Sequence, residues 1–306
     1  MHILSTIIPI FVIIAMGWVA RRRDFMAPEF LGPANRLVYH LAIPAMIFRA
    51  VSSSSLKDQF DLRVVAITLV SALAVFAAAW ATVGLLGLRR SQRGTFIQNS
   101  IHGNLGYIGL AVAFYYLGNQ GFVRAGIIAG FLIILQNFLA VSVLQLYSNT
   151  QSSQHGGWTI FWKVSGNPII VAAFLGILFS LFAIPLPLIV DRSLKILSDL
   201  ALPMALLIIG ASLSFNLMRQ NIAAVLMATG LKLVLLPAVG LIAYRIAGLA
   251  AADYLPGLIL LSSPTATVTY VMAREMSGDA EFAVAAISAS TLFSAITFTF
   301  WLNLAG

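Results

Sequence analysis

Ten apolar segments, separated by charged or turn-forming residues, restrict what this sequence can fold into. They lie near residues 3–20, 35–51, 63–88, 95–118, 122–148, 166–183, 192–213, 221–247, 254–275 and 281–304. Most of them are close to the roughly 20 residues that an α-helix needs to cross a bilayer. Because every backbone amide in lipid must find its partner within the protein, we expect an all-α integral membrane protein with ten transmembrane helices.

The composition agrees with a chain that lies almost entirely in lipid. Of its 306 residues, 60% are hydrophobic and 9% are charged, whereas about 25% of residues are charged in soluble domains. The net charge is +8, but the arginines stand at the ends of apolar segments, so they indicate topology rather than nucleic-acid binding. Residues 1–20 lack a basic leader and are followed by Arg21–Arg23, which favours a retained first span over a cleaved signal peptide.

The basic residues also predict the orientation in the membrane. With the N-terminus outside, ten basic residues fall on the cytoplasmic side and seven on the other side. The ten include Arg21–Arg23, which directly follow the first span. Because cytoplasmic loops carry an excess of Lys and Arg, we expect a multi-pass protein of the cell (inner) membrane with both termini outside.

The two halves of the chain share residues at a near-constant separation. The matching positions, 159 or 160 residues apart, are Pro9 and Pro168, Gly17 and Gly176, Leu41–Pro44 and Leu200–Pro203, and Gly118 and Gly278. Each half holds five spans, an odd number, so the second half must enter the membrane upside down. The sequence therefore predicts two inverted repeats, as in many transporters, at residues 1–149 and 158–306, joined by a Ser/Gln/Gly-rich linker at 150–157.

The fourth span contains a stretch that is unusual for a transmembrane helix, NSIHGNLGYIG at residues 99–109. It places polar residues beside three glycines, Gly103, Gly106 and Gly109. Each glycine costs about 1 kcal/mol relative to alanine in a helix, and buried polar groups without partners cost more. We therefore predict a break in the helix that lines a substrate site, with His102, Asn104 and Tyr107 as ligands. The alternative is a closely packed helix crossing, which small residues also permit.

The ninth span carries the corresponding interruption around Pro264. Proline removes a backbone donor and frees carbonyl groups, and Thr265, Thr267 and Thr269 follow it closely. We predict that these threonines line the site, with Thr269 the one that favours a bond to the backbone. A proline kink that is satisfied by hydroxyl groups is the alternative. Since the two breaks lie opposite each other in the repeat, we expect helices 4 and 9 to cross near the midplane, with helix N-termini that favour an anionic ligand.

Few ionisable groups fall within the predicted spans. His40 and Asp199 are 159 residues apart, and both are candidates for proton or ion coupling or for structural hydrogen bonds. Lys232 lies in the middle of the eighth span, so it must find an anion, a hydroxyl or carbonyl oxygens inside the protein. It either neutralises the substrate and takes part in coupling, or donates to the carbonyls freed in the ninth span. The neighbouring Gln136 and Asn137 either line the site or bond between helices.

Enzymatic functions agree poorly with the sequence. An intramembrane aspartyl protease needs two carboxylates, and Asp199 is the only one at the predicted depth. The sequence contains no HExxH motif and no cysteine, and the serine at Gly210–Leu213 has no histidine placed to activate it. We expect no enzymatic activity, no metal site and no cofactor.

The chain resembles a bacterial member of the auxin efflux carrier family over nearly its whole length. The resemblance is strongest at Gly103–Gly109, at Pro264–Ala266, and at Ala273–Glu275 with the following Gly278–Glu281. It implies small organic anions such as malonate, malate or auxin as substrates. It also implies elevator-type alternating access, with a scaffold from helices 1, 2, 6 and 7, a transport domain from helices 3–5 and 8–10, and a homodimer.

Three functions follow from these observations as hypotheses. The first is a secondary active or facilitative carrier of a small carboxylate, with export as the favoured direction. Its substrate site is the crossing of helices 4 and 9, and transport is coupled to protons, to sodium or to neither. The second is a membrane sensor that keeps the transporter fold. The third is a cation/proton antiporter, but such proteins usually have acidic residues at the crossing, and neither broken stretch contains one.

Overall fold

The computed structural model describes residues 2–53, 60–148, 168–218 and 222–305, and these are helical apart from turns and short breaks. The predicted linker at 150–157 lies outside the described residues. The α-helices are α1 (His2–Arg22), α2 (Pro28–Leu37), α3 (Ile43–Ser52), α4 (Leu62–Val83), α5 (Arg90–Ile101), α6 (Leu110–Tyr147), α7 (Pro168–Leu181), α8 (Leu188–Ala211), α9 (Phe215–Met218), α10 (Ile222–Gly230), α11 (Leu236–Ile246), α12 (Ala251–Ser262), α13 (Val268–Glu275) and α14 (Ala280–Ala305).

Six helical stretches of the described residues are long and apolar enough to cross a membrane. They are Ile3–Arg22, Leu62–Leu86, Leu105–Tyr147, Leu188–Ala211, Ile222–Ile246 and Ala280–Ala305. Two shorter apolar helices, α7 and α12, accompany them. The protein is therefore an all-helical, multi-pass membrane protein, and the total of ten spans stays a prediction.

The longest helix, α6, is interrupted at Gly118. This glycine has φ 68° and ψ −164° within a 38-residue segment. An L-residue with a side chain rarely adopts a positive φ, so glycine allows the chain to change direction here. The interruption lies where the sequence predicts the fourth span to end and the fifth to begin.

Three π-helical turns run directly into the helix that follows them, and two of them also continue directly from the preceding helix. Val38–Ala42 joins α2 to α3, Leu105–Gly109 leads into α6, and Leu231–Leu235 joins α10 to α11. The last of these turns precedes Pro237. Proline has no backbone N–H to donate to the carbonyl four residues earlier, and its ring clashes with that carbonyl. That carbonyl, on Leu233, instead accepts a hydrogen bond from the Trp301 indole at 2.8 Å. The turn holds Lys232 inside the bundle.

Helices α1, α3, α7 and α8 pack closely on one another. A Cβ atom on Gly17 of α1 would clash with the carbonyl of Leu207 on α8, and one on Gly210 would clash with the carbonyl of Ile14. Helix α7 approaches α3 at Gly176, where a Cβ atom would lie 2.9 Å from the Cβ of Val51. Glycine at these positions lets the helix backbones meet, as is common in membrane proteins.

The remaining long helices form a second group of mutual contacts. Within it, α5 and α12 both pack on α6, and α10 and α13 both pack on α14. Helix α4 contacts α5, α11 and α12. The two broken stretches predicted from the sequence, between α5 and α6 and between α12 and α13, both lie in this group.

Candidate functional site

The helices are interrupted at the two stretches where the sequence predicts breaks. Helix α5 ends at Ile101, and His102 has the non-helical dihedral angles φ −80° and ψ 96°. Helix α12 ends at Ser262, and Ser263 is extended with φ −65° and ψ 143°. The chain becomes helical again at Leu105 on one side and at Val268 on the other.

The two interrupted stretches are hydrogen-bonded to each other. Gly103 and Thr265 form an isolated antiparallel β-bridge. The backbone N–H of Asn104 donates to the carbonyl of Pro264 at 2.6 Å, and the N–H of Ala266 donates to the carbonyl of His102 at 2.9 Å. Groups freed by one break therefore satisfy groups freed by the other. We call residues 102–104 and 264–266 the crossing.

Gly103 allows this close approach. A Cβ atom on it would lie 2.7 Å from Ser263 Oγ and 3.3 Å from Lys232 Cε. Gly109 is also confined, because a Cβ there would lie 3.1 Å from Leu260 Cδ2. Gly106 faces the other group of helices instead, since a Cβ there would lie 3.2 Å from Ile169 Cδ1 of α7. The glycines thus let backbone and side chains pack at the crossing.

Two of the three predicted threonines fasten the crossing. Thr265 Oγ1 donates to the carbonyl of Asn99 at 3.1 Å, and its backbone N–H donates to Ser290 Oγ at 3.0 Å. Thr269 Oγ1 lies 2.8 Å from both Asn99 Oδ1 and the carbonyl of Ala266, and it can donate to either. Thr267 is half-buried at the start of α13. This geometry is that of the alternative in which hydroxyl groups satisfy the break.

Gln136 of α6 forms hydrogen bonds to the break between α5 and α6 in the same way. Its side-chain amide Nε2 donates to the carbonyl of Ile101 at 2.9 Å, and its Oε1 accepts from the N–H of Gly103 at 3.2 Å. One buried side chain thus satisfies a donor and an acceptor that the end of α5 leaves free. Asn137, the next residue, is half-buried.

Lys232 is fully buried beside the crossing. Its Nζ donates to the carbonyl of Leu261 at 2.8 Å, in the last turn of α12. In a continuous helix this carbonyl would accept from the N–H of Thr265, which bonds to Ser290 instead. Lysine thus supplies the missing donor, as in the second alternative from the sequence. Among the described residues, no carboxylate lies within 4 Å of its ammonium group.

Two side chains of the crossing carry polar atoms without partners. His102 and Asn104 are 4% and 5% exposed, and in the described structure His102 Nδ1 and Asn104 Nδ2 make no hydrogen bond. Both residues flank Gly103, which packs against Lys232. A buried polar atom without a hydrogen-bond partner costs about 1–3 kcal/mol. A ligand that bonds to His102 Nδ1 or Asn104 Nδ2 would remove this cost.

Tyr107 connects the crossing to a residue that the sequence analysis did not identify. Its hydroxyl group donates to Asn35 Oδ1 of α2 at 2.6 Å. Asn35 is one polar residue of an amphipathic helix, and nothing in its sequence neighbourhood distinguishes it. The contact joins the segment after the first break to the helix that leads into α3.

The structure does not bring His40 and Asp199 to the buried crossing. His40 is exposed on the π-helical turn Val38–Ala42, with its ring 5.2 Å from that of Tyr39. Asp199 is exposed on α8 and accepts from Lys195 Nζ at 2.7 Å. Their part in coupling stays a prediction.

Comparison with known proteins places the chain in a family. A family model described as "membrane transport protein" matches residues 2–155 and 157–302. The chain belongs to this family of membrane transport proteins. This confirms the resemblance to auxin efflux carriers and the expectation that the chain is not an enzyme.

The transporter is similar over nearly its whole length to curated relatives. A protein of Rhizobium meliloti, provisionally named a malonate transporter, is 26% identical over 302 residues, which cover 97% of this chain and 94% of the relative. An uncharacterized transporter of Methanothermobacter thermautotrophicus is 23% identical over 298 residues, with 97% and 96% covered. An uncharacterized transporter of Escherichia coli K12 is 21% identical over 310 residues, with 98% and 96% covered.

Proposed function

We propose that the transporter carries small organic anions of the carboxylate class, such as malonate or malate, and that the crossing is its substrate site. The observation that carries the proposal is the buried ammonium group of Lys232, which has a carbonyl as partner but no carboxylate among the described residues. The name of the Rhizobium meliloti relative, a malonate transporter, points to the same class of substrate.

The electrostatics of the crossing favour an anion. Burying an ammonium group costs several kcal/mol, and a single neutral carbonyl compensates this only in part. A substrate carboxylate beside Lys232 would neutralise the charge, and the free Nδ2 of Asn104 would donate to it. Neither residues 99–109 nor residues 262–270 contain an acidic side chain. A cation would therefore meet a positive charge without compensation, which disfavours cation/proton antiport.

The packing of the helices supports the inverted repeat as part of this proposal. Under the 159-residue separation, Gly17 corresponds to Gly176, and Phe48 corresponds to Leu207. A Cβ atom on Gly17 of α1 would clash with the carbonyl of Leu207 on α8, and one on Gly176 of α7 would lie 3.2 Å from the carbonyl of Phe48 on α3. Equivalent contacts in both halves are expected when two repeats of opposite orientation share one fold.

The same packing supports an elevator-type mechanism. The closely packed α1, α3, α7 and α8, together with α2, would form the scaffold, and the second group of helices would carry the crossing across the membrane. We further propose that two scaffolds form a homodimer, that both termini lie outside the inner membrane, and that export is the direction of net transport. Coupling to a proton or sodium gradient belongs to the same proposal.

Transport by the purified protein tests the proposed function. Proteoliposomes loaded with malonate should take up labelled malonate by exchange, and unlabelled malate should compete. Asn104→Ala should abolish this exchange, because it removes the free donor at the crossing. Asn303→Ala is the matched control, since this exposed amide bonds only within α14, and it should exchange like the wild type.

Addition of a pH or sodium gradient to the same vesicles tests coupling, and loading from either side tests direction. Binding of malonate without flux would reject the carrier in favour of the sensor hypothesis. Equal exchange by Asn104→Ala and the wild type would reject the crossing as the site.

A further inference from the structure

A polar cavity lies at the C-terminal end of α1, on the helix group that we propose as the scaffold. It has a volume of about 440 Å³. It is lined by Trp18, Arg21, Arg22 and Asp24 from the end of α1, and by Ala211, Leu213, Ser214 and Asn216 from the segment that follows α8. We call it the arginine pocket. The proposed transport function makes no use of it.

The arginine pocket has an excess of positive charge. Arg21 Nη1 lies 3.5 Å from Asp24 Oδ1, so one guanidinium group is partly neutralised. Arg22 is exposed, with its Cζ 4.7 Å from the centre of the Trp18 ring. None of the ion pairs among the described residues includes Arg22. The stacked ring holds its guanidinium at the rim, where it can donate to an anion.

Donors of a second kind complete the lining. Asn216 is exposed and presents a side-chain amide. Ser214 is half-buried and adds a side-chain hydroxyl group to the lining, while its backbone N–H donates to Ser288 Oγ of α14 at 2.9 Å. Planar guanidinium groups next to neutral donors are the arrangement that recognises tetrahedral phosphate oxygens.

An apolar surface leads directly into the pocket. The exposed apolar side chains of α1 recur along one face, at Leu4, Ile8, Val12, Met16 and Val19. At 1.5 Å per residue this stripe extends for about 22 Å, longer than one leaflet of a bilayer whose core is about 30 Å thick. Phe25, just beyond the arginines, is 88% exposed. The stripe is long enough to hold an acyl chain whose headgroup reaches Arg22.

We infer that the arginine pocket binds the phosphate group of an anionic phospholipid, with an acyl chain lying along the exposed face of α1. Arg22 and Asn216 bind phosphate oxygens, and Arg21 contributes a second guanidinium group. An anionic lipid fits better than a zwitterionic one, because the ammonium group of the latter would lie among arginines, including the exposed Arg23. Basic sites of this kind at the edge of a membrane attract anionic headgroups.

Native mass spectrometry of the purified full chain tests this inference. The protein is titrated with dioleoyl phosphatidylglycerol, with dioleoyl phosphatidylcholine and with inorganic phosphate. We expect phosphatidylglycerol to bind more tightly than phosphatidylcholine. Replacing both arginines, in Arg21→Gln/Arg22→Gln, should weaken it by about tenfold or more, the effect of losing a charge-assisted bond. Arg36→Gln is the matched control, since this exposed arginine of α2 lies outside the lining.

A second variant keeps the test decisive if the double variant does not fold. Asn216→Asp leaves both arginines in place but adds a carboxylate to the pocket, so it should also weaken phosphatidylglycerol binding. The melting temperature without added lipid reports folding for every variant.

Three results would overturn the inference. The first is equal binding of phosphatidylglycerol by the wild type, the double variant and Asn216→Asp. The second is equal binding of the two lipids by the wild type. The third is tight binding of inorganic phosphate that phosphatidylglycerol does not displace, which would assign the pocket to free phosphate.

Discussion

Replacement of Lys232 by methionine should have opposite effects on substrate affinity and on stability. Methionine has an unbranched apolar side chain about as long as the aliphatic stem of lysine but lacks the ammonium group. In the structure that group donates to the carbonyl of Leu261 and has no carboxylate partner among the described residues. The variant therefore removes one hydrogen bond and one uncompensated buried charge together.

The effect on stability is the difference between these two terms. Leaving the buried carbonyl of Leu261 without a donor costs about 1–3 kcal/mol. Removing an ammonium group from a buried site recovers several kcal/mol of desolvation free energy. The second term is at least as large as the first. We therefore expect the substrate-free Lys232→Met protein to melt at the wild-type temperature or above it.

The effect on affinity has the other sign. A charge-assisted bond from Lys232 to a substrate carboxylate contributes about 1.5–3 kcal/mol, so its loss should weaken malonate binding by about ten- to a hundredfold. The loss should be larger for malonate than for malonamate, its monoamide, because the second carboxylate of malonate adds to the attraction.

Isothermal titration and thermal unfolding of the purified protein measure the two effects separately. Lys195→Met is the matched control, because Lys195 is exposed and pairs with Asp199 on the surface. Surface ion pairs contribute about 0–1 kcal/mol, so this variant should bind malonate normally. If Lys232→Met binds malonate with wild-type affinity and melts at a lower temperature, Lys232 only holds the end of α12, and our reasoning is wrong.

Three further variants test how the crossing is held together. Thr269→Val removes one neutral hydrogen bond, so it should lower the free energy of unfolding by about 1 kcal/mol, lower the melting temperature and leave malonate affinity unchanged. A loss of affinity without a loss of stability would make the hydroxyl a substrate ligand. Gly103→Ala should lower both stability and affinity, since its Cβ would lie 2.7 Å from a serine oxygen across the crossing; wild-type values in both assays would mean that the crossing is loosely packed. Tyr107→Phe should keep the fold and change the rate of malonate exchange, because it removes the 2.6 Å bond to Asn35 of the proposed scaffold; an unchanged rate would show that this bond does not limit movement.

The breaks in the helices could be predicted from the sequence because their causes are local. The glycines around Asn104 weaken a helix wherever it packs, and Pro264 removes a backbone donor regardless of its neighbours. Both stretches are interrupted in the structure. Gly118 is a similar case, since its position between two predicted spans matches the interruption observed within α6.

The partners of the polar side chains could not be predicted, because they depend on packing between distant segments. Gln136 bonds to backbone groups more than 30 positions earlier in the chain, and Thr265 donates its N–H to a serine 25 positions later. Asn35 carries no local signal, and its partner Tyr107 lies 72 residues away. From the sequence we expect buried polar side chains to form hydrogen bonds inside the protein, but only the fold determines which groups are their partners.

The observed bonds divide the predicted site residues by role. Gln136, Thr265 and Thr269 each use side-chain groups on the backbone or side chains of the breaks, so they stabilise the crossing, and their contact with substrate stays a prediction. His102 and Asn104 retain buried polar atoms without partners in the described structure. Lys232 belongs to both sets, because it donates to one carbonyl and still carries a charge that none of the described carboxylates balances. If it binds the substrate, the ligand must compete with or share the bond to Leu261, so substrate binding would act directly on the end of α12. An anion that neutralises Lys232 would thus also change the hydrogen bonding at the end of α12. If the two states of the transporter differ in this bond, the anion would favour one of them.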